Sequence, residues 1–156
     1  EPEYGFLGSA LAADIRKQRC SVFPRTHYLD LLRTCRSCGA WFFFYAVEQR
    51  YWYEVLRFWV DADCVHCCAC RAKDRRLHRA QLRYAQRIVA AEQLDDRQFG
   101  TLLRDALFLT QSGTLRSDAK LRRLRNLAIK RDYSGEPLVA VSAFLAAHAG
   151  ESSRSA

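Results

Sequence analysis

Methionine is absent from this 156-residue chain, so a form trimmed of its initiator residue is expected. Long apolar runs are absent as well. The longest, Leu138 to Ala147, is far short of the roughly 20 residues a bilayer-spanning helix needs, and a buried core helix without a membrane anchor is expected there. No basic stretch followed by an apolar one opens the chain in the manner of a secretory leader. Neither a glycine-rich phosphate loop nor a histidine–carboxylate constellation occurs, which points to a non-catalytic protein. Glu48 and Gln49 could pass for a base and its helper. No second carboxylate stands at a defined spacing from Glu48, so bracing of nearby backbone is the preferred reading.

What the chain has in abundance is rings, sulfur and positive charge. Three Trp, seven Tyr and nine Phe in a chain that is 49% hydrophobic exclude a disordered polymer and suit one domain, or a small module with a helical extension. Six of the seven cysteines lie between Cys35 and Cys70 in two tight clusters. A disulfide scaffold spreads its bridges and uses an even number, whereas paired Cys-x-x-Cys units bring thiolates around one metal ion. A reducing, cytoplasmic setting is expected. The net charge of +8 is concentrated in two windows, 71–93 and 114–134, each with seven Lys or Arg against two carboxylates.

Along the chain, an apolar patch at Phe6–Leu11 suggests one short helix within residues 1–19. HYLDLLRT, residues 27–34, reads as a short strand or turn. Trp41 to Tyr45 has strand length and composition. The steps from Val47 through Tyr51 and Val55 to Phe58 are helical. Arg71 to Ala91 reads as an amphipathic helix, with Leu77, Ala80, Tyr84, Ile88 and Ala91 on one face. Arg71, Arg75, Arg79, Arg83 and Arg87 recur along another. Further helices are expected at Asp96–Gln111, capped by Asp95 or Asp96 and stopped by Ser112-Gly113, and from Ser117 to about Arg131. Another should begin with Pro137 in its first turn. The fold class is thus a small α+β zinc module of treble-clef or zinc-ribbon type, followed by an α-helical region of three or four helices. The divisions are an extension over 1–34, a zinc module over 35–71, a helical region over 72–150 and a loose tail over 151–156.

Cys35 and Cys38 form one ligand pair, and Gly39 suits the positive φ that a metal-knuckle turn needs. For the second pair, both Cys64/Cys67 and Cys67/Cys70 have the required spacing. Cys67 and Cys70 are preferred, because a helix starting just after them would stabilise their thiolates through its dipole. Cys64 is the alternative. Four cysteines around one structural Zn2+ close its coordination shell, leaving no open position for catalysis. His27, His66 and His78 stand alone and are read as ordinary histidines.

The segment CRSCGAWFFFYAVEQRYWYEVLRFWVDADCVHCCACR resembles the probable zinc-ribbon domain family of bacterial proteins. The matching residues are Cys35, Cys38, Gly39, Phe42, Phe44, Glu48, Gln49, Tyr51, Trp52, Cys67, Cys70 and Arg71. The resemblance spans about residues 35 to 71, departs from the family pattern at Cys64 and Cys68, and implies zinc without implying a reaction.

The expected function is non-catalytic, zinc-stabilised nucleic-acid binding. Arg71, Arg75, Arg79, Arg83, Arg87, Arg122 and Arg123 would contact phosphates, because unpaired like charges on a helix face favour an anionic partner. A protein-interaction adaptor is the alternative, docking through faces such as Phe99, Leu102, Leu103, Leu107 and Leu138 to Phe144. A thiol-redox protein using Cys64 or Cys68 is the third. The aromatic clusters are expected mainly in the core, with Trp52 or Trp59 left for a partner.

Overall fold

The structure, a computed structural model, describes residues 4–20 and 22–148; the tail expected at 151–156 lies outside them. The chain divides into two compact units, 1–73 and 74–156.

The first unit is built on an antiparallel sheet in the order β1-β2-β3: β1 Tyr4–Ala12, β2 His27–Thr34 and β3 Trp41–Phe44. The apolar patch expected to form a short helix near the N-terminus is therefore strand β1, residues 4–12 are part of the sheet, and the helix within residues 1–19 is a single 3-10 turn at Ile15–Lys17. The periodicity signal failed there because Gly5, Gly8 and Ser9 interrupt the apolar pattern. A register shift between Phe6 and Leu11 accommodates them. The Ser9 hydroxyl donates to the Phe6 carbonyl at 2.6 Å and accepts from the Asp30 N–H at 2.7 Å, so the irregularity leaves that backbone paired.

β3 leads directly into helix α1, Ala46–Arg50, which continues as a π-helical turn over Tyr51–Val55. The Asp30 carboxylate accepts the Ala46 N–H at 2.7 Å, capping α1 from across the sheet. Gln49 is 1% exposed and donates to the carbonyls of Leu29 at 2.5 Å and Phe44 at 2.9 Å. Tyr28, Ala46, Tyr53 and Val60 form one buried cluster of this unit, and Phe44 is buried as well. Alternation along β3 puts Phe44 inside and leaves Trp41 and Phe43 outside, 60% and 40% exposed. The rings thus do not all serve the core. Phe43 stacks on Tyr45 and tilts against Phe6, each at 5.6 Å between centroids, as an aromatic row on the outer face.

The second unit holds most of α2, Cys68–Ile88, with α3 Asp96–Gln111, α4 Asp118–Lys130 and α5 Glu136–Ala147. The caps are those the sequence predicts. Asp95 accepts from the Gln98 N–H at 2.7 Å, Ser117 accepts from the Ala119 N–H, and Pro137 lies in the first turn of α5. Gly113 ends α3 at φ 76°. Phe99, Leu102, Leu103, Ala106 and Leu109 follow the three-and-four spacing of an amphipathic helix and pack on Leu121, Leu124, Ala128, Val141 and Leu145. Arg131 locks the α2–α3 connection onto this core. Its guanidinium donates to the carbonyls of Ala91 and Leu94, pairs with Asp96 at 3.5 Å and lies over the Phe99 ring.

Gly100 tests this packing. A Cβ there would stand 2.5 Å from the Tyr133 hydroxyl oxygen. Gly100→Ala should destabilise the protein by about 1–2 kcal/mol in urea unfolding, despite alanine's better helix propensity. Removing that oxygen with Tyr133→Phe should convert the same Gly100→Ala change into one that is neutral or stabilising by up to about 1 kcal/mol.

Candidate metal centre and basic surface

Two loops meet at the sulfurs. The first, between β2 and β3, is closed by Cys35 N–H to Ala40 O and Gly39 N–H to Cys35 O, both 2.9 Å, with Gly39 at φ 73°. That φ is the left-handed turn its position required. The second precedes α2 and is held to β2 by the Arg33 guanidinium, which reaches the Cys64 carbonyl at 3.4 Å and the Asp63 carboxylate at 3.2 Å. Backbone bonds then stitch loop to loop. Arg36 N–H donates to Val65 O at 2.9 Å, and Cys67 N–H donates to Cys35 Sγ at 3.3 Å.

The outcome is a group of four sulfurs, Cys35, Cys38, Cys67 and Cys70, all within 4.8 Å of one another. Cys38 Sγ and Cys67 Sγ are 3.8 Å apart. Zn–S bonds of about 2.3 Å in a tetrahedron require sulfurs separated by about 3.8 Å. A disulfide needs about 2.05 Å. Spacing and donor chemistry therefore fit one structural zinc ion.

Protonation gives the same answer. Backbone N–H donation, first from Cys67, draws the Cys35 thiol down to about 6, while the sulfurs of Cys67, Cys38 and Cys35 push that of Cys70 well up. Four sulfurs this close cannot all ionise without a cation among them; a divalent ion removes that conflict.

Cys64 is buried outside this group, its thiol donating to the His66 carbonyl at 3.5 Å and raised in pKa by burial. Cys68 is exposed and Cys20 half-buried. Cys70 lies in the first turn of α2, with its N–H donating to Cys67 Sγ at 3.5 Å. Glu48 and Gln49 are braces. Gln49 secures the sheet and α1 as described, and the Glu48 carboxylate accepts from Arg71 at 2.5 Å while Arg71 also lies over the Trp52 ring.

With this geometry in place, similarity can be weighed. Residues 29–79 match the family described as a probable treble clef domain, 51 of the 156 residues. No curated protein and no solved structure gives a match. This stretch is a treble-clef zinc domain, followed by a helical region. No helix among the described residues is long and apolar enough to cross a membrane.

The arginine stripe does not stay together. Arg71 is turned to Glu48, as above. Arg83 makes a two-pronged contact with Asp105 of α3, at 2.9 and 2.6 Å, and Arg87 stands 4.0 Å from the same carboxylate. Three of the five stripe arginines, out of seven expected on phosphates, thus have protein carboxylates beside them. Arg75 and Arg79 are exposed and have no ion-pair partner among the described residues. In α4, Arg122 is half-buried and Arg123 exposed. The missed residue is Asp105, which is 22 positions from Arg83. Its signal was a carboxylate three residues after Leu102 and four before Leu109, on the face α3 buries, where a charge needs a partner. The apolar faces considered for adaptor docking are not free either. Phe99, Leu102, Leu103 and Val141 are at most 1% exposed and Leu107, Leu138 and Phe144 are partly buried, because α3 and α5 pack against each other and α4; Val139 alone of the large apolar residues in these faces is well exposed, at 69%.

Native protein should carry one zinc per chain by elemental analysis. Cys70→Ser should lose it, and Cys64→Ser should keep it. Thiol titration of the zinc-loaded protein should find Cys68 reactive first and the four clustered sulfurs only after chelation.

Proposed function

We propose that this protein is a non-catalytic nucleic-acid-binding protein, stabilised by its zinc domain and gripping phosphates through the basic helices of its second unit. The observation that carries this reading is the residue of charge left after internal pairing. Once Arg83, Arg87 and Arg131 are set beside carboxylates within the unit, Arg75, Arg76 and Arg79 on α2 and Lys120 and Arg123 on α4 remain exposed, and none has a carboxylate partner among the described residues. Exposed cations in such excess favour a polyanion, whose condensed counterions they release on binding. A zinc held by four cysteines contributes architecture, since its shell has no position left for substrate.

The protein-interaction reading keeps one specific support, now in the first unit. The outer row Phe6, Phe43 and Tyr45 is 40–54% exposed and Trp41 is 60% exposed, and contiguous apolar surface of this kind is what a protein partner covers. The two readings differ in salt dependence. Binding to mixed-sequence oligonucleotides, followed by fluorescence anisotropy, should fall with a log–log slope of about −0.7 to −0.9 per phosphate neutralised. Arg75→Glu with Arg79→Glu should flatten that slope by about 2 and weaken binding uniformly across sequences. A partner held by the aromatic row would respond instead to Trp41→Ala or Phe43→Ala and hardly to salt.

A further inference from the structure

Between α2 and α3, wholly within the second unit, lies a cleft of about 460 Å³ walled by Arg76, Arg79, Arg83, Thr101, Arg104 and Asp105. Four arginines thus line one cavity with one carboxylate residue. That carboxylate is already committed: Asp105 is 5% exposed, and both its oxygens accept from Arg83. Arg76, Arg79 and Arg104 are exposed, and no ion pair or hydrogen bond of their side chains occurs among the described residues. The cleft therefore carries three uncompensated positive charges, with Arg83 fixed in its wall by the Asp105 fork.

Such an arrangement selects its ligand. Cations are repelled. A purely apolar molecule would leave guanidinium groups desolvated and unpaired, which is costly. A phosphate group offers several oxygens to several planar donor forks at once, the geometry guanidinium binds best. We propose that the α2–α3 cleft is a phosphate-binding seat, formed by Arg76, Arg79 and Arg104, which receives a backbone phosphodiester of nucleic acid. The proposal rests on the nucleic-acid reading for the source of the phosphate; the seat itself rests on the cleft. It adds Arg104 to the binding surface and sets Arg76 and Arg79 with it in one cleft. Arg104 belongs to α3, outside both basic windows, and no periodicity in α2 could reveal it.

The test compares wild type with Arg76→Gln, Arg104→Gln and a control of equal charge change in the first unit, Arg50→Gln, at an exposed position outside the proposed binding surface. Two probes are used, a short labelled mixed-sequence oligonucleotide and inorganic pyrophosphate, with arginine side-chain NMR signals recorded alongside. Arg76 and Arg104 are solvent-facing, so thermal unfolding should be unchanged, which separates loss of contact from loss of fold. The expected result is that each cleft variant weakens oligonucleotide binding several-fold and lowers the salt slope by about 1. Pyrophosphate should shift the Arg76, Arg79 and Arg104 signals and compete with the oligonucleotide. Oligonucleotide binding that is unaltered in both cleft variants would overturn the seat while leaving the nucleic-acid reading intact. Pyrophosphate shifts at the cleft, without oligonucleotide binding by wild type, would overturn the nucleic-acid source and assign the seat to a free phosphorylated molecule. No response to either probe would overturn both.

Discussion

Two loops some 30 residues apart in the chain are held face to face by four sulfurs and a pair of backbone bonds, and the first unit is organised around that junction. The apolar core beside it is small: Tyr28, Ala46, Tyr53 and Val60 form its buried cluster. A cluster of that size cannot by itself hold a three-stranded sheet and a helix start in register. A tetrahedral ion replaces the missing apolar area with a cross-link whose geometry fixes both loops at once. The hydrogen bonds from Arg36 to Val65 and from Cys67 to Cys35 Sγ are the backbone counterpart of that cross-link. They set the loops so that the sulfurs already converge.

Polar braces carry the same order outward. Gln49 closes two carbonyls of the sheet, Asp30 caps α1, and Glu48 holds Arg71 just beyond the last sulfur ligand. Each is a group that would be expensive to bury alone and specific when paired. Glu48, Gln49 and the arginine after the fourth cysteine thus support the ligand loops of this domain. They tie the helix that follows β3 both to the sheet and to the start of α2. The chemistry is structural in each case.

The metal loops, α3, α4 and α5 were legible because their signals are local: Cys-x-x-Cys spacing, Gly39, and capping residues at Asp95, Ser117 and Pro137. Strand β1 was hidden for the opposite reason. Its identity depends on pairing with β2 and on Ser9 repairing an irregularity, neither visible in residues 4–12 alone. The choice between Cys64 and Cys70 likewise turned on three-dimensional detail, since both have the spacing. Only the fold puts one thiol against the His66 carbonyl and the other among three sulfurs. The aromatic residues divided between core and surface because β3 alternates, which composition does not report.

The arginine stripe shows how a correct local pattern can be misread as one surface. A residue every fourth position does not return to the same side of an α-helix; each step overshoots a full turn by about 40°, so Arg71 to Arg87 winds through about 160°. One face cannot serve all five. The beginning of the stripe meets Glu48, the end swings to Asp105, and the middle is left to solvent. The pairing at the end has a consequence for the middle. By consuming the one carboxylate in the α2–α3 cleft, Arg83 leaves Arg76, Arg79 and Arg104 without compensation. Internal neutralisation and an external positive site are thus produced by the same contact, and the helical twist decides which arginines belong to each.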